Sequence, residues 1–274
     1  MRLPDRESLG WVDGQRRPLR EISFAVDDPA VHVGLGLFET AAIRDGRLLD
    51  LDEHLERLRE SATALQINLD HGYDLRAVLI EEARLSGHRS GWLKLLVTRG
   101  GRTVVLNGAI DADEAGRPAT AVILPWRKNP DDPCANHKTL NYAGNELGLE
   151  WARAHGADEG LWLNTRGRLA EGCMSNLFLL RGGAIFTPAI RDGILPGVIR
   201  RIVLAAAGDA GYTIHEGNIR LPRLLRCEEA FLSSSVKGIR SLLSVDGRKI
   251  GRGEPGQRTA ELAGRVAKLR KIAE

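Results

Sequence analysis

Cysteine is scarce in this 274-residue sequence: only Cys134, Cys173 and Cys227, widely spaced and with no CxxC pair. An odd, unpaired set argues against a disulfide framework and against a zinc site, and no metal is expected. Charge of one sign is lacking too. The 39 basic and 36 acidic residues leave a net +3 scattered along the chain, and no basic block carries interleaved aromatics, so there is no nucleic-acid footprint. No apolar run approaches the roughly 18 residues that a membrane helix needs. The opening stretch MRLPDRESLGWVDGQ has no apolar core of the kind a secretory signal carries. These absences give the expectation of a soluble, cytoplasmic protein whose partners are small molecules, with neither nucleic acid nor membrane among them.

What is present is an ordinary globular composition, 43% hydrophobic and 27% charged, in a chain long enough for one large domain or two modest ones. Asp13-Gly14 and Asp45-Gly46 are hairpin signals between strand-like runs. Leu55, Leu58, Ala62 and Leu65 recur at helical spacing and predict one apolar face. Residues 73–86 predict a second amphipathic helix, and GWLKLLVTRGG and ATAVILPW read as strands, the latter buried. RKNPDDPCAN, with two prolines and two aspartates, interrupts all periodicity. It predicts a linker at 127–136 between a smaller N-terminal α/β domain, 1–126, and a larger domain, 137–274. Strands and helices mix after it without strict alternation, so the expected fold is mixed α/β in two lobes.

Four stretches point to chemistry. NHKTLNYAGNEL (136–147) sets Lys138 among neutral neighbours that suit burial. GRLAEGCMSNLFLL places Glu171 between a strand and a turn, where a glutamate is ordinarily solvated. GILPGVIRR enters an apolar helix whose first N–H groups, at Val198 and Ile199, favour an anion such as phosphate. FLSSSVKG closes a strand with hydroxyls, Ser234 and Ser235 among them, able to donate to phosphate oxygens.

Taken singly these signals are weak, but their order, together with GLFET and DEHLERL near the N-terminus, resembles the class IV (fold-type IV) pyridoxal phosphate-dependent aminotransferases. That family includes D-amino acid aminotransferases, branched-chain aminotransferases and aminodeoxychorismate lyases. The resemblance implies a two-lobed fold-type IV architecture, pyridoxal 5'-phosphate as cofactor and a homodimer. It further implies that Lys138 forms a Schiff base with the cofactor aldehyde and then moves a proton between substrate Cα and cofactor C4′. Glu171 matches the glutamate that keeps the pyridine nitrogen protonated. Arg57, by helical spacing a solvent-face residue, matches the arginine that reaches the phosphate. Val198 and Ile199 would give it backbone N–H groups, and Ser234 or Ser235 a hydroxyl. Tyr142 would pack near the ring, while Asn176 would hold its loop.

Which member is meant is less legible. KTLNYAGNEL resembles D-amino acid aminotransferases and favours D-amino acid donors, whereas GLFET is common among lyase-like members. Phe38 stands where the usual D-amino acid enzymes carry tyrosine. Their Arg-x-His carboxylate trap lacks its histidine in TRGGRTVV, leaving Arg102, or Arg99 after it, as the cation for a substrate carboxylate. An altered trap also admits amines without a carboxylate, (R)-amines among them. The alternatives are a lyase giving 4-aminobenzoate and a branched-chain aminotransferase, whose first-lobe signature is not reproduced. A cofactor-binding protein without turnover is disfavoured by an intact Lys138, Glu171 and Arg57.

Overall fold

The computed structural model describes residues 4–70, 72–111 and 114–273. The chain forms two compact units, one of residues 1–112, 137–141 and 271–274 and the other of 113–136 and 142–270. No helix among the described residues is long and apolar enough to cross a membrane.

The first unit runs β1 (Leu9–Val12), β2 (Gln15–Pro18), α1 (Pro29–Val33), β3 (Gly36–Arg44), β4 (Arg47–Leu48), α2 (Leu51–Ala64), α3 (Leu75–Leu85), β5 (Ser90–Thr98) and β6 (Thr103–Ala109). Its six strands lie in the order β2-β1-β6-β5-β3-β4. The β1–β2 and β3–β4 pairs are antiparallel hairpins. They turn at the expected Asp-Gly pairs, with Asp13 and Asp45 left-handed at φ 44° and 49°. Leu55, Leu58 and Ala62 of α2 are buried with Leu93, Leu95 and Val97 of β5 in one apolar cluster. A second stripe on α2, His54, Arg57 and Ser61, is buried as well. Its spacing of three and four marks a polar face that the apolar periodicity alone does not reveal.

The second unit runs β7 (Ala119–Lys128), α4 (Ala143–Ala154), β8 (Glu159–Asn164), β9 (Leu169–Gly172), β10 (Asn176–Arg181), β11 (Ala184–Thr187), α5 (Val198–Asp209), β12 (Thr213–Glu216), α6 (Leu221–Leu224), β13 (Glu229–Ser234), β14 (Gly238–Val245), β15 (Arg248–Lys249) and α7 (Gln257–Leu269). The order is β12-β11-β10-β13-β14-β7-β8-β9, with β15 on β14. β7 is parallel to both β14 and β8, while β10, β13 and β14 are antiparallel neighbours. This is the mixed sheet that irregular alternation of elements predicts. One face buries Leu161, Leu169, Leu177 and Leu232. The other packs Phe178 and Phe231 with Ile199 and Val203 of α5 and Leu262 of α7.

The boundary expected at 127–136 falls inside this second unit. β7 is an inner strand between β14 and β8, and Lys128 still pairs with Asn164 on β8. The Pro- and Asp-rich stretch therefore marks the end of a strand. The chain leaves the unit at 136 and returns at 142, so that five residues around the lysine belong to the first unit.

Leu95 is 1% exposed at the centre of the first cluster. Leu95→Ala is expected to cost about 2–5 kcal/mol in urea unfolding, through lost transfer energy and an unfilled cavity. A loss below about 1 kcal/mol contradicts that placement.

Candidate active site

In the first unit the lysine segment behaves as a short extra strand. The edge of β3 beyond its two-residue partner β4 is taken by residues 138–140. Phe38 N donates to Lys138 O at 2.9 Å and Leu140 N to Gly36 O at 2.9 Å, with Leu37 and Thr139 bridged antiparallel. A Cβ on residue 36 would meet Leu140 Cδ1 at 2.4 Å, so the close approach needs the glycine of GLFET. His137 is tied to Ser61 Oγ at 3.0 Å. Lys138 is thus fixed at its backbone, and its Nζ lies over the Phe38 ring, 4.2 Å from the centroid. Lys94 Nζ lies over the same ring at 4.5 Å.

Next to Phe38, Glu39 binds the polar stripe of α2. Its Oε1 accepts from Arg57 Nε at 2.8 Å and its Oε2 from Arg57 Nη2 at 2.6 Å. His54 Nδ1 meets Oε2 at 2.7 Å. Burial raises the Glu39 pKa, but the Arg57 charge and the His54 hydrogen bond outweigh it and bring it down to about 2. Arg57, 7% exposed, faces inward rather than toward solvent. Arg99 and Arg102 stand on the loop after β5. Arg102 is engaged by Asp13 Oδ2 at 2.6 Å and by the Ser23 carbonyl, while Arg99 is exposed.

In the second unit Glu171 lies near the end of β9 with its carboxylate enclosed. Lys128 Nζ donates to Oε1 at 2.5 Å. Asn176 Nδ2 donates to Oε2 at 3.1 Å and Leu195 N to Oε2 at 2.9 Å. Asn176 also donates to the Leu195 carbonyl at 3.0 Å, clamping the turn ahead of α5. The N-cap Gly197 offers no side-chain cap, so the first N–H groups of α5, at Val198 and Ile199, have no intrahelical acceptor. A Cβ at 197 would lie 2.0 Å from Asn176 Oδ1, so glycine is required there. Ser234 and Ser235 close β13, which shares its core with α5. Ser234 Oγ accepts from Lys237 N at 3.4 Å.

Tyr142, just ahead of α4, donates its hydroxyl to the Cys173 carbonyl at 3.0 Å. Burial, and then the Glu171 charge, push its pKa upward. Glu159 on β8 is a second enclosed carboxylate, 3% exposed. It accepts from Ser175 Oγ at 3.0 Å and from Gly160 N at 3.2 Å. Burial exceeds these neutral donors and lifts its pKa to about 7.

The structure therefore joins Lys138 to Phe38 and Arg57 to the neighbouring Glu39 in one unit. In the other it joins Glu171 to the turn before Val198 and Ile199. Sequence reading missed Lys128, Glu39 and Glu159. Glu39 stands inside the GLFET signature, and Lys128 is the second residue of the stretch read as linker. Neither carries a local pattern that marks it.

Each unit holds groups that suit part of a pyridine ring bearing an aldehyde and a phosphate: in the first a fixed lysine against an aromatic face, in the second a carboxylate with a lysine in contact and an uncapped helix start. A family model described as amino-transferase class IV matches residues 36–245. The branched-chain-amino-acid aminotransferase of Salmonella typhimurium is 26% identical over 276 residues, 92% of this chain and 89% of that one. The D-alanine aminotransferase of Staphylococcus haemolyticus is 25% identical over 273 residues, 92% of this chain and 94% of that one. A solved branched-chain amino acid aminotransferase from T.th., with pyridoxamine 5'-phosphate, superposes with a TM-score of 0.85 at 26% identity, covering 96% of this chain and 93% of that one.

The raised Glu159 pKa has a consequence for stability. Between the ordinary carboxylate value of 4.5 and about 7 the folded chain holds a proton that the unfolded chain has lost. Stability from this group is therefore complete below pH 4.5 and falls as pH rises to about 7. The total is roughly 3 kcal/mol. Glu159→Gln removes this slope, so the variant is expected to gain on the wild type between about pH 4.5 and 8 in paired thermal melts. An unchanged difference between the two pH values contradicts the assignment.

Proposed function

The chain belongs to the class IV aminotransferase family, and on that premise we propose that it moves an amino group from an amino acid with a small aliphatic side chain to a 2-keto acid, with pyridoxal phosphate as cofactor. The observation that carries the reading is the lysine: Lys138 is pinned to β3 on both sides and laid against the apolar face of Phe38. Bound pyridoxal phosphate supplies the electron sink that makes a substrate Cα proton removable. Lys138 would hold the cofactor by its aldehyde and would serve as the base that moves the proton at substrate Cα. Glu171 would hold a proton on the ring nitrogen. The N–H groups of Val198 and Ile199, with Arg57, Ser234 and Ser235, take the phosphate. Tyr142 steadies the turn that follows Glu171.

For the substrate carboxylate we assign Arg99 ahead of Arg102, reversing the order read from the sequence, because Arg102 is already committed to Asp13 and Ser23. A buried carboxylate left without a cation costs several kcal/mol. The donor's side chain is read from Phe38 and from the relatives, named for branched-chain amino acids and for D-alanine. The D-configuration favoured by residues 138–147 finds one D-alanine enzyme among those relatives and several branched-chain enzymes beside it.

The test is a donor panel of D-alanine, D-valine, L-valine, L-leucine, (R)-phenylethylamine and aminodeoxychorismate, with 2-oxoglutarate as acceptor. Aliphatic amino acids are expected to yield a keto acid and glutamate, and Lys138→Ala to yield neither. Release of 4-aminobenzoate from aminodeoxychorismate, with no keto acid from any amino acid, contradicts the reading and makes the chain a lyase.

A further inference from the structure

Glu171 meets its counter-ion from a strand two places away in the sheet. Lys128 is the last residue of β7, and β8 separates β7 from β9. Its backbone is fixed against the end of β8: it pairs with Asn164, and its carbonyl accepts from Thr165 N at 3.0 Å. The side chain then crosses β8 to reach Glu171 Oε1 at 2.5 Å. The lysine side chain is 21% exposed and the glutamate side chain 7%. Asn176 and Leu195 hold the other oxygen, but both are neutral donors.

The same sheet holds a carboxylate without a cation in contact. Glu159 on the adjoining strand has hydrogen bonds from Ser175 and Gly160 and, among the described residues, no ion pair; burial lifts its pKa to about 7 although the Arg240 charge acts on it from farther off. Titratable groups beside Glu171 include Tyr142, ahead of α4, and Cys173, in the turn after β9. Burial pushes the Tyr142 hydroxyl up and the Cys173 thiol up to about 12, so both are uncharged around neutral pH. Lys128 is the cation in contact with Glu171.

We propose that Lys128 is a positioning residue: it keeps Glu171 ionised and aimed before any cofactor arrives, so that the carboxylate is ready to hold a proton on the ring nitrogen. The last clause rests on the role assigned to Glu171 above; the first does not. Removing the cation leaves a buried carboxylate with two neutral donors, which takes up a proton rather than stay charged. A neutral carboxyl cannot keep a ring nitrogen protonated.

The experiment is an infrared pH titration of the cofactor-free protein, reading the protonated-carboxyl band. Wild type, Lys128→Met, Lys128→Gln and Lys128→Arg are compared, with Glu171→Gln added to Lys128→Met to assign the band. Lys128→Met and Lys128→Gln are expected to show at about pH 6 a carboxyl band, additional to that of Glu159, that the added Glu171→Gln abolishes, its midpoint raised by at least about one pH unit. Wild type and Lys128→Arg are expected to lack it. A Glu171 that titrates alike in all four proteins overturns the proposal, as does an additional band, beyond the Glu159 band common to every variant, that survives the double substitution. A second readout is the binding of pyridoxal phosphate itself. Lys128→Met is expected to bind at least about tenfold more weakly at pH 6 than at pH 8, with wild type nearly level. The band without the binding change supports the role of Lys128 and overturns that of Glu171, so the two failures are told apart.

Discussion

A carboxylate taken out of water keeps its charge only where the surrounding groups replace what water supplied. Glu171 is in that position, enclosed between β9 and the turn before α5, and the local structure follows from satisfying it. Asn176 opens β10 one turn later and bonds both Glu171 and Leu195. Leu195 completes the loop by donating its N–H to the same oxygen. That double tie sets where α5 begins and requires Gly197 to be without a side chain. The carboxylate and the uncapped helix start are thus one assembly, joined by three hydrogen bonds.

The two enclosed carboxylates of this sheet are handled in opposite ways. Glu171 has a lysine in contact. Glu159 has a serine hydroxyl and a backbone N–H, and its pKa is lifted to about 7. Sites that run proton chemistry separate the states of neighbouring acids in this manner. Glu159 bonds Ser175, in the turn that leads from Glu171 to Asn176, so its protonation bears on the same turn. In the first unit Glu39 is the counterpart: its charge is kept by Arg57 and His54, and its pKa is held down to about 2.

Much of the fold was legible because apolar periodicity and Asp-Gly turns are local. α2, α3, α4 and the two hairpins follow from spacing within a dozen residues. The polar stripe of α2 was not legible, since His54 and Arg57 are buried only because Glu39 arrives from β3. The stretch at 127–136 reads as a linker from its prolines, yet Lys128 still belongs to a strand, and its pairing partner Asn164 lies far along the chain. The motif residues Lys138, Glu171, Val198 and Ile199 were found by resemblance, while Lys128 and Glu159 became visible only through the sheet order.

Everything proposed for the reaction turns on Lys138 being the amine that carries the cofactor. The direct measurement is to load the protein with pyridoxal phosphate, reduce it with borohydride, digest it and locate the phosphopyridoxyl group by mass spectrometry. One modified site is predicted, Lys138, within the peptide that contains TLNYAGNEL. Modification at Lys94 or Lys128 in its place, or no stable modification after reduction, would contradict it.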